Sequence, residues 1–211
     1  MIIRVLVADD HPIIRSGVIA ILAENRDIEI VAEAASGRET LEALKKHEVD
    51  VLVLDLKMPD GGGFDVLGQI ATWPKRPRVV VMSHFAEEHF AIQALRSGAS
   101  GYLPKEAAPD QLVKAVRRVH AGGRYVTEAL TDQLVEATDP TRAKAPHEHL
   151  SPREFQVFIA LASAKKIPNI AADLAISVST VHTMRRHVLE KFSTDNDVDL
   201  ARYALVHQLI D

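Results

Sequence analysis

The chain has 211 residues, 47% of them hydrophobic and 26% charged, a globular balance with room for one or two domains. Cysteine is absent, which excludes disulfides and thiolate metal sites and fits a cytoplasmic location. A net charge of −4 excludes a protein that is basic all over. No stretch reaches the roughly 20 apolar residues of a membrane helix, and the start, Met1–Val7, lacks the pattern of a secretory signal.

Short apolar runs come first, at Ile2–Ala8, Ile28–Ala34, Val51–Leu54, Val79–Met82 and Gly101–Leu103. They are rich in Val, Ile and Leu, as strands covered on both faces should be. Between them, helix-period segments fall near 12–23, 38–46, 64–72, 87–97 and 109–121. Five strands alternating with five helices predict a doubly wound parallel sheet. The polar stretch Thr138–His147, with Pro140 and Pro146, then reads as a linker. Beyond it no strand is visible. Ser151-Pro152-Arg153-Glu154 is a capping box, Pro168 opens a short second helix, Ser177 caps a third, and a fourth runs from about Val198 to Ile210.

Charged groups collect at strand ends. The first strand runs into Asp9-Asp10, the third into Asp55, the fourth into Ser83, and the fifth leads to Lys105. In a parallel sheet these ends share one edge, where ligands bind at the switch in strand order. Three carboxylates gathered there repel one another unless a cation joins them, and a carboxylate-only donor set suits Mg²⁺. A carboxylate can also act as a nucleophile toward phosphorus, with Lys105 neutralising charge and the Ser83 hydroxyl donating to a phosphoryl oxygen. Taken singly, an Asp pair is a helix cap, a lone Asp a turn residue and a Lys a solvated cation. Their joint placement makes the functional reading.

The second half carries basic residues. From Arg153 to Lys191 six basic residues face three acids, so a DNA-binding surface there is a patch. With Val181, Met184, Val188 and Phe192 facing inward, the third helix presents Ser179, His182, Thr183, Arg186 and Glu190 on its other side. Arg186 suits guanine and the Thr183 methyl suits thymine. Lys165, Lys166, Arg185 and Lys191 suit phosphates. The fourth helix is apolar on two sides: Val198, Ala201, Leu205 and Leu209 on one, Leu200, Tyr203 and Val206 on the other. One side can close the bundle and the other is left for a second copy.

Asp9-Asp10-His11-Pro12, Leu54-Asp55-Leu56-Lys57-Met58-Pro59, Met82-Ser83 and Gly98–Lys105 resemble the receiver domains of two-component response regulators over residues 1–122. Residues 149–211 resemble the LuxR-type helix-turn-helix of the NarL/FixJ subfamily, through Leu150–Glu154, Ile170-Ala171, Leu174 and Ser177–Val181. The resemblance implies a flavodoxin-like receiver, a connecting segment over 123–148, and an all-α domain of four helices. It implies that Asp55 takes a phosphoryl group from a sensor histidine kinase, and that Mg²⁺ is held by Asp10, Asp55 and the Lys57 carbonyl, with Asp9 assisting through water. Ser83 and Lys105 then contact the phosphoryl group and Tyr102 is the aromatic switch. His182, Thr183 and Arg186 are the implied base readers, and double-stranded DNA, RNA polymerase and a second copy are the implied partners. The expected function is phosphorylation-dependent transcription regulation, with no enzyme activity.

The sequence departs from the family pattern at several places. Pro104 precedes Lys105 and Glu106 follows it, where many receivers have proline after the lysine; Asn169 stands for an acid, Phe192 for Leu or Met, and His182 for Lys. A dehalogenase-type phosphatase would need an acid where Lys57 stands, and Gly61-Gly62-Gly63 lacks the Lys-Ser/Thr of a phosphate loop. His147 and His149 have no further ligands nearby in the sequence. A regulator that works without phosphorylation, using the acidic edge to bind protein, is the alternative.

Overall fold

The structure is a computed structural model that describes residues 2–83, 87–127, 130–131, 145–207 and 209–210, without the side chains of 87–89. The chain divides into two units, Met1–Val135 and Glu136–Asp211.

In the first unit β1 (Ile3–Ala8), α1 (Pro12–Ala23), β2 (Ile28–Ala34), α2 (Gly37–Lys46) and β3 (Val51–Asp55) are followed by α3 (Gly63–Ile70), β4 (Arg78–Ser83), α4 (Glu87–Arg96), β5 (Gly101–Pro104) and α5 (Pro109–His120). All strand pairs are parallel, in the order β2-β1-β3-β4-β5. Side chains alternate between the two faces of the sheet. Val5, Val7, Val51, Val53, Val80, Met82 and Leu103 bury against Val18 and Leu22 of α1 and Leu112, Val116 and Val119 of α5. The intervening Leu6, Leu52, Leu54, Val79, Val81 and Tyr102 are equally buried. The chain reverses its winding direction at β1 and β3, so the loops leaving these neighbours diverge and open a crevice at the carboxyl edge.

Two glycines set the walls of that crevice. A Cβ on Gly63 would lie 2.4 Å from the Asp55 carbonyl oxygen, so only glycine lets α3 start this close behind β3. A Cβ on Gly37, at the start of α2, would fall 1.5 Å from the Gly61 carbonyl oxygen. The Gly61–Gly63 run is thus a close-packing device. Residues 123–127, placed in the connecting segment on sequence grounds, run beside β5: the Tyr102 N–H donates to the Tyr125 carbonyl at 2.9 Å and the Tyr125 N–H to the Ser100 carbonyl at 3.1 Å. Of the expected linker, residues 138–144 lie outside the described residues.

The second unit opens on a 3₁₀ turn, Pro146–His149, followed by α6 (Pro152–Ala162), α7 (Ile167–Asp173), α8 (Val178–Phe192) and α9 (Asp197–Val206). The fourth helix stops short of the expected Ile210, and its last turn ends at His207. Phe155, Phe158, Ile170, Val181, Val188, Leu200 and Ala204 form the core. Met184 is only half-buried and Leu189 is buried in its stead. The 3₁₀ turn is no part of a free linker. His147 is buried, with Nδ1 2.8 Å from the Tyr203 hydroxyl. Tyr203 meets Phe192 edge-on at a ring distance of 4.8 Å.

The capping box forms as expected. The Glu154 N–H donates to Ser151 Oγ at 3.3 Å, and Glu154 Oε2 accepts from the Ser151 N–H at 2.7 Å. Lys191, 37 residues on, adds its ammonium at 2.7 Å to the same carboxylate oxygen. Burial pushes the Glu154 carboxyl up, but Lys191 and the Ser151 amide outweigh it and hold it below its usual 4.5. A carboxyl with a depressed folded pKa stabilises above its unfolded pKa, and that stabilisation is lost as pH falls through the folded one. Glu154→Gln should therefore cost about 2 kcal/mol at neutral pH. In denaturant melts at stepped pH the difference should shrink below pH 4.5; a constant difference would show that charge plays no part.

Candidate functional site

The register sets Ala8 opposite Leu54, Asp55 opposite Met82 and Ser83 opposite Pro104, so Asp9 and Lys105 follow one residue past their paired strand positions. Asp55 ends β3 and belongs to the strand itself. The Lys105 side chain is 2% exposed and its Nζ reaches Asp9 Oδ2 and Asp55 Oδ2 at 2.7 Å each. The Lys57 N–H donates to Asp55 Oδ1 at 3.2 Å, and the His11 N–H to Asp9 Oδ1 at 2.8 Å. Ser83 is buried beside them, and its carbonyl accepts from the Lys105 N–H at 3.1 Å. Tyr102 is fully buried one strand over. The Lys105–Glu106 peptide is trans, like every described peptide.

Burial pushes the Asp55 carboxyl above its usual value, against the pull of Lys105. Burial would lower the Lys105 ammonium, but the two carboxylates outweigh it and raise it, so Lys105 stays a cation. Asp9, Asp10, His11 and Asp55 bring one ligand atom each within 4.8 Å of one another. Asp10 Oδ1 is buried and makes no hydrogen bond among the described residues, with His11 Nδ1 2.7 Å away as an ion-pair contact. A buried carboxylate oxygen without a hydrogen bond is costly, and set beside the Asp9 and Asp55 carboxylates it fits a hard divalent cation. His11, half-exposed, is a fourth member of this cluster beyond the residues expected from the sequence. The Asp-Asp-His run was the available signal.

In the second unit, Ser179, His182, Thr183, Arg186 and Glu190 all lie on the exposed face of α8, while Val181 and Val188 are buried beneath it. Arg186 is held only loosely, 3.8 Å from Glu190. Several of the expected phosphate contacts already have partners. Lys165 pairs with Asp173, Arg185 Nε donates to Asp197 at 2.9 Å, and Lys191 is committed to Glu154. Lys166, exposed at the start of α7, has no ion-pair partner among the described residues. On α9, Val198, Leu205 and Val206 are exposed, whereas Leu200 is buried and Tyr203 half-buried.

Residues 5–117 match the response regulator receiver domain family, and residues 148–204 match the bacterial regulatory proteins of the luxR family. The chain is 33% identical to the response regulator GacA of Pseudomonas aeruginosa over 99% of its own length and 98% of that protein's. It is 31% identical to the response regulator UvrY of Escherichia coli, over 98% and 95% of the two lengths. A structure of the Salmonella typhimurium RcsB response regulator superposes with a TM-score of 0.73 over 100% of this chain and 99% of that one, at 24% identity, which bears on the fold alone. With a receiver sheet, a LuxR-type helical unit and full-length relatives of the same make-up, the chain belongs to the NarL/FixJ family of two-component response regulators.

Proposed function

We propose that this protein is a DNA-binding transcription regulator whose activity depends on phosphorylation of Asp55 by a sensor histidine kinase. The observation that carries the reading is the desolvated Asp55 carboxylate, held by the Lys105 ammonium and flanked by Asp9, Asp10 and Ser83. An Asp55 oxygen attacks phosphorus in line as the bond to the kinase imidazole breaks and the electron pair leaves with that nitrogen. Lys105 and the Ser83 hydroxyl meet the transferred oxygens, and Tyr102 repacks behind Ser83 as the switch. Asp9, Asp10, Asp55 and the Lys57 carbonyl would hold Mg²⁺. Bound there, Mg²⁺ supplies the positive charge that offsets the clustered acids and the incoming phosphoryl group. Labelling with a small phosphodonor should require Mg²⁺, and efficient labelling in excess chelator would overturn this assignment.

Support for DNA as the target comes from the exposed polar face of α8 and from the RcsB structures, which include one bound to the promoter P1flhDC with a phosphomimetic present. Two copies pairing through the exposed apolar residues of α9 would match a two-fold operator, and RNA polymerase is the partner through which the bound regulator acts. The domain limits proposed are a receiver over 1–122, a connecting segment over 123–148 whose two ends pack on the receiver and on the helical unit through Tyr125 and His147, and the DNA-binding domain over 149–211, in the cytoplasm. Arg186→Ala should cost about 1–3 kcal/mol on the cognate site and little on random DNA. Lys166→Ala should weaken all sequences alike. Equal losses on both DNAs for Arg186→Ala would make it a phosphate contact.

A further inference from the structure

The end of the sheet opposite Asp55 carries the opposite charge. A groove of about 480 Å³ opens there, lined by Lys45, Lys46, Trp73, Lys75, Arg76 and Arg78 among others. In a chain with a net charge of −4 this is a marked local excess of cations. The two acids at its rim are already engaged: Arg4 reaches Asp50 at 2.9 Å and Glu48 at 2.5 Å. Lys75 also pairs with Glu48, at 3.2 Å, but Lys45, Lys46, Arg76 and Arg78 have no ion-pair partner among the described residues. His47 and His120 line the same groove and add no negative charge.

Fold stability explains only part of this. Lys45 and Lys46 sit in the last turn of α2, where cations complement the helix dipole. Lys75, Arg76 and Arg78 belong to no helix, although Arg76 Nη1 comes within 3.8 Å of the Cβ position of Gly98, just past α4. They belong to the segment Trp73-Pro74-Lys75-Arg76-Pro77-Arg78, in which two prolines fix the backbone and reduce the cost of ordering it around a ligand. Trp73 is half-buried, so part of its indole remains open to the groove beside the cations. An aromatic shelf next to clustered Lys and Arg takes a base and its phosphates together. The volume is that of a small-molecule site and holds one nucleotide, not a duplex.

We propose that this groove binds a nucleoside di- or triphosphate, its base against Trp73 and its phosphates among Lys45, Lys46, Arg76 and Arg78. Trp73 is the single tryptophan of the chain, so its emission reports directly on the groove. The full-length protein is titrated with ATP and with GTP, excited at the red edge of the indole band. Excess chelator is present so that the acidic edge holds no metal to attract phosphate. The expected result is saturable quenching with a midpoint below about 1 mM, unchanged in Asp55→Asn. Tripolyphosphate should compete but bind at least about tenfold more weakly, because it has no base to stack. The Lys45→Glu/Lys46→Glu/Arg76→Glu variant should lose about tenfold or more, with its helix content checked by circular dichroism. Should it fail to fold, Arg76→Gln with Lys46→Gln is read for the same direction of change. Absence of saturable quenching, or equal binding by the charge-altered chain, would overturn the proposal. So would equal affinity for tripolyphosphate, or a clear preference for single-stranded oligonucleotide over the free nucleotide.

Discussion

Replacing Asp55 by asparagine is expected to abolish phosphoryl labelling while leaving the receiver as stable as before, or more stable. The amide is a poor nucleophile, and no other carboxylate takes the same place: Asp9 is turned to Lys105 and to the His11 amide, and Asp10 lies further out. Stability follows a different balance. The Asp55 carboxyl is desolvated and pushed up, so ionised Asp55 works against the fold in the metal-free protein. An asparagine oxygen still accepts the Lys57 N–H, and Lys105 keeps Asp9 at 2.7 Å, so no charge is orphaned. Labelling is read by phosphate-affinity electrophoresis and stability by denaturant melts. Undiminished labelling of the variant would move the acceptor elsewhere and favour the reading that needs no phosphorylation at Asp55.

Gly63→Ala should be among the most damaging single-atom changes in the receiver. The added methyl would stand 2.4 Å from the Asp55 carbonyl oxygen and 2.8 Å from the Leu56 Cα, both backbone atoms with no rotamer to yield. Either α3 or the end of β3 must shift, at a cost of about 3 kcal/mol. A displacement of Asp55 by about 1 Å would slow labelling by about a hundredfold. Gly68 in α3 is the internal control, with nothing within 4 Å of its Cβ position. Alanine there should stabilise by about 0.5–1 kcal/mol through helix propensity. If Gly63→Ala and Gly68→Ala melted alike, the close approach of α3 to β3 would be wrong.

The two sites were unequally legible in the sequence. Asp9, Asp10, Asp55 and Lys105 announce themselves because a parallel sheet sends every strand's carboxyl end to one edge, so knowing the strands is enough to gather the residues. The capping box at Ser151 and the cap at Ser177 are legible for a different reason: each is a hydrogen-bond pattern between residues three apart in the sequence. His147 was not. A polar, proline-bearing stretch looks like linker, and its seat is built by Tyr203, 56 residues away. Tyr125 escaped likewise, since its partner is the Tyr102 amide on a strand edge. The Lys191–Glu154 pair also joins distant residues, and helical spacing gives no sign of it.

Those internal ion pairs bear on how DNA is held. Affinity for a duplex falls with added salt in proportion to the number of phosphates a protein neutralises, with a slope of about −0.9 for each. Were Lys165, Arg185 and Lys191 phosphate contacts, they would meet DNA already balanced by Asp173, Asp197 and Glu154, and would release fewer condensed counterions than their number suggests. One DNA-binding unit should therefore show a shallow salt slope and modest affinity at low ionic strength. Tight binding then has to come from two units sharing adjacent half-sites, where the first contact raises the effective concentration of the second. On the proposed reading, the acids that brace the fold would also set how strongly DNA binding depends on pairing.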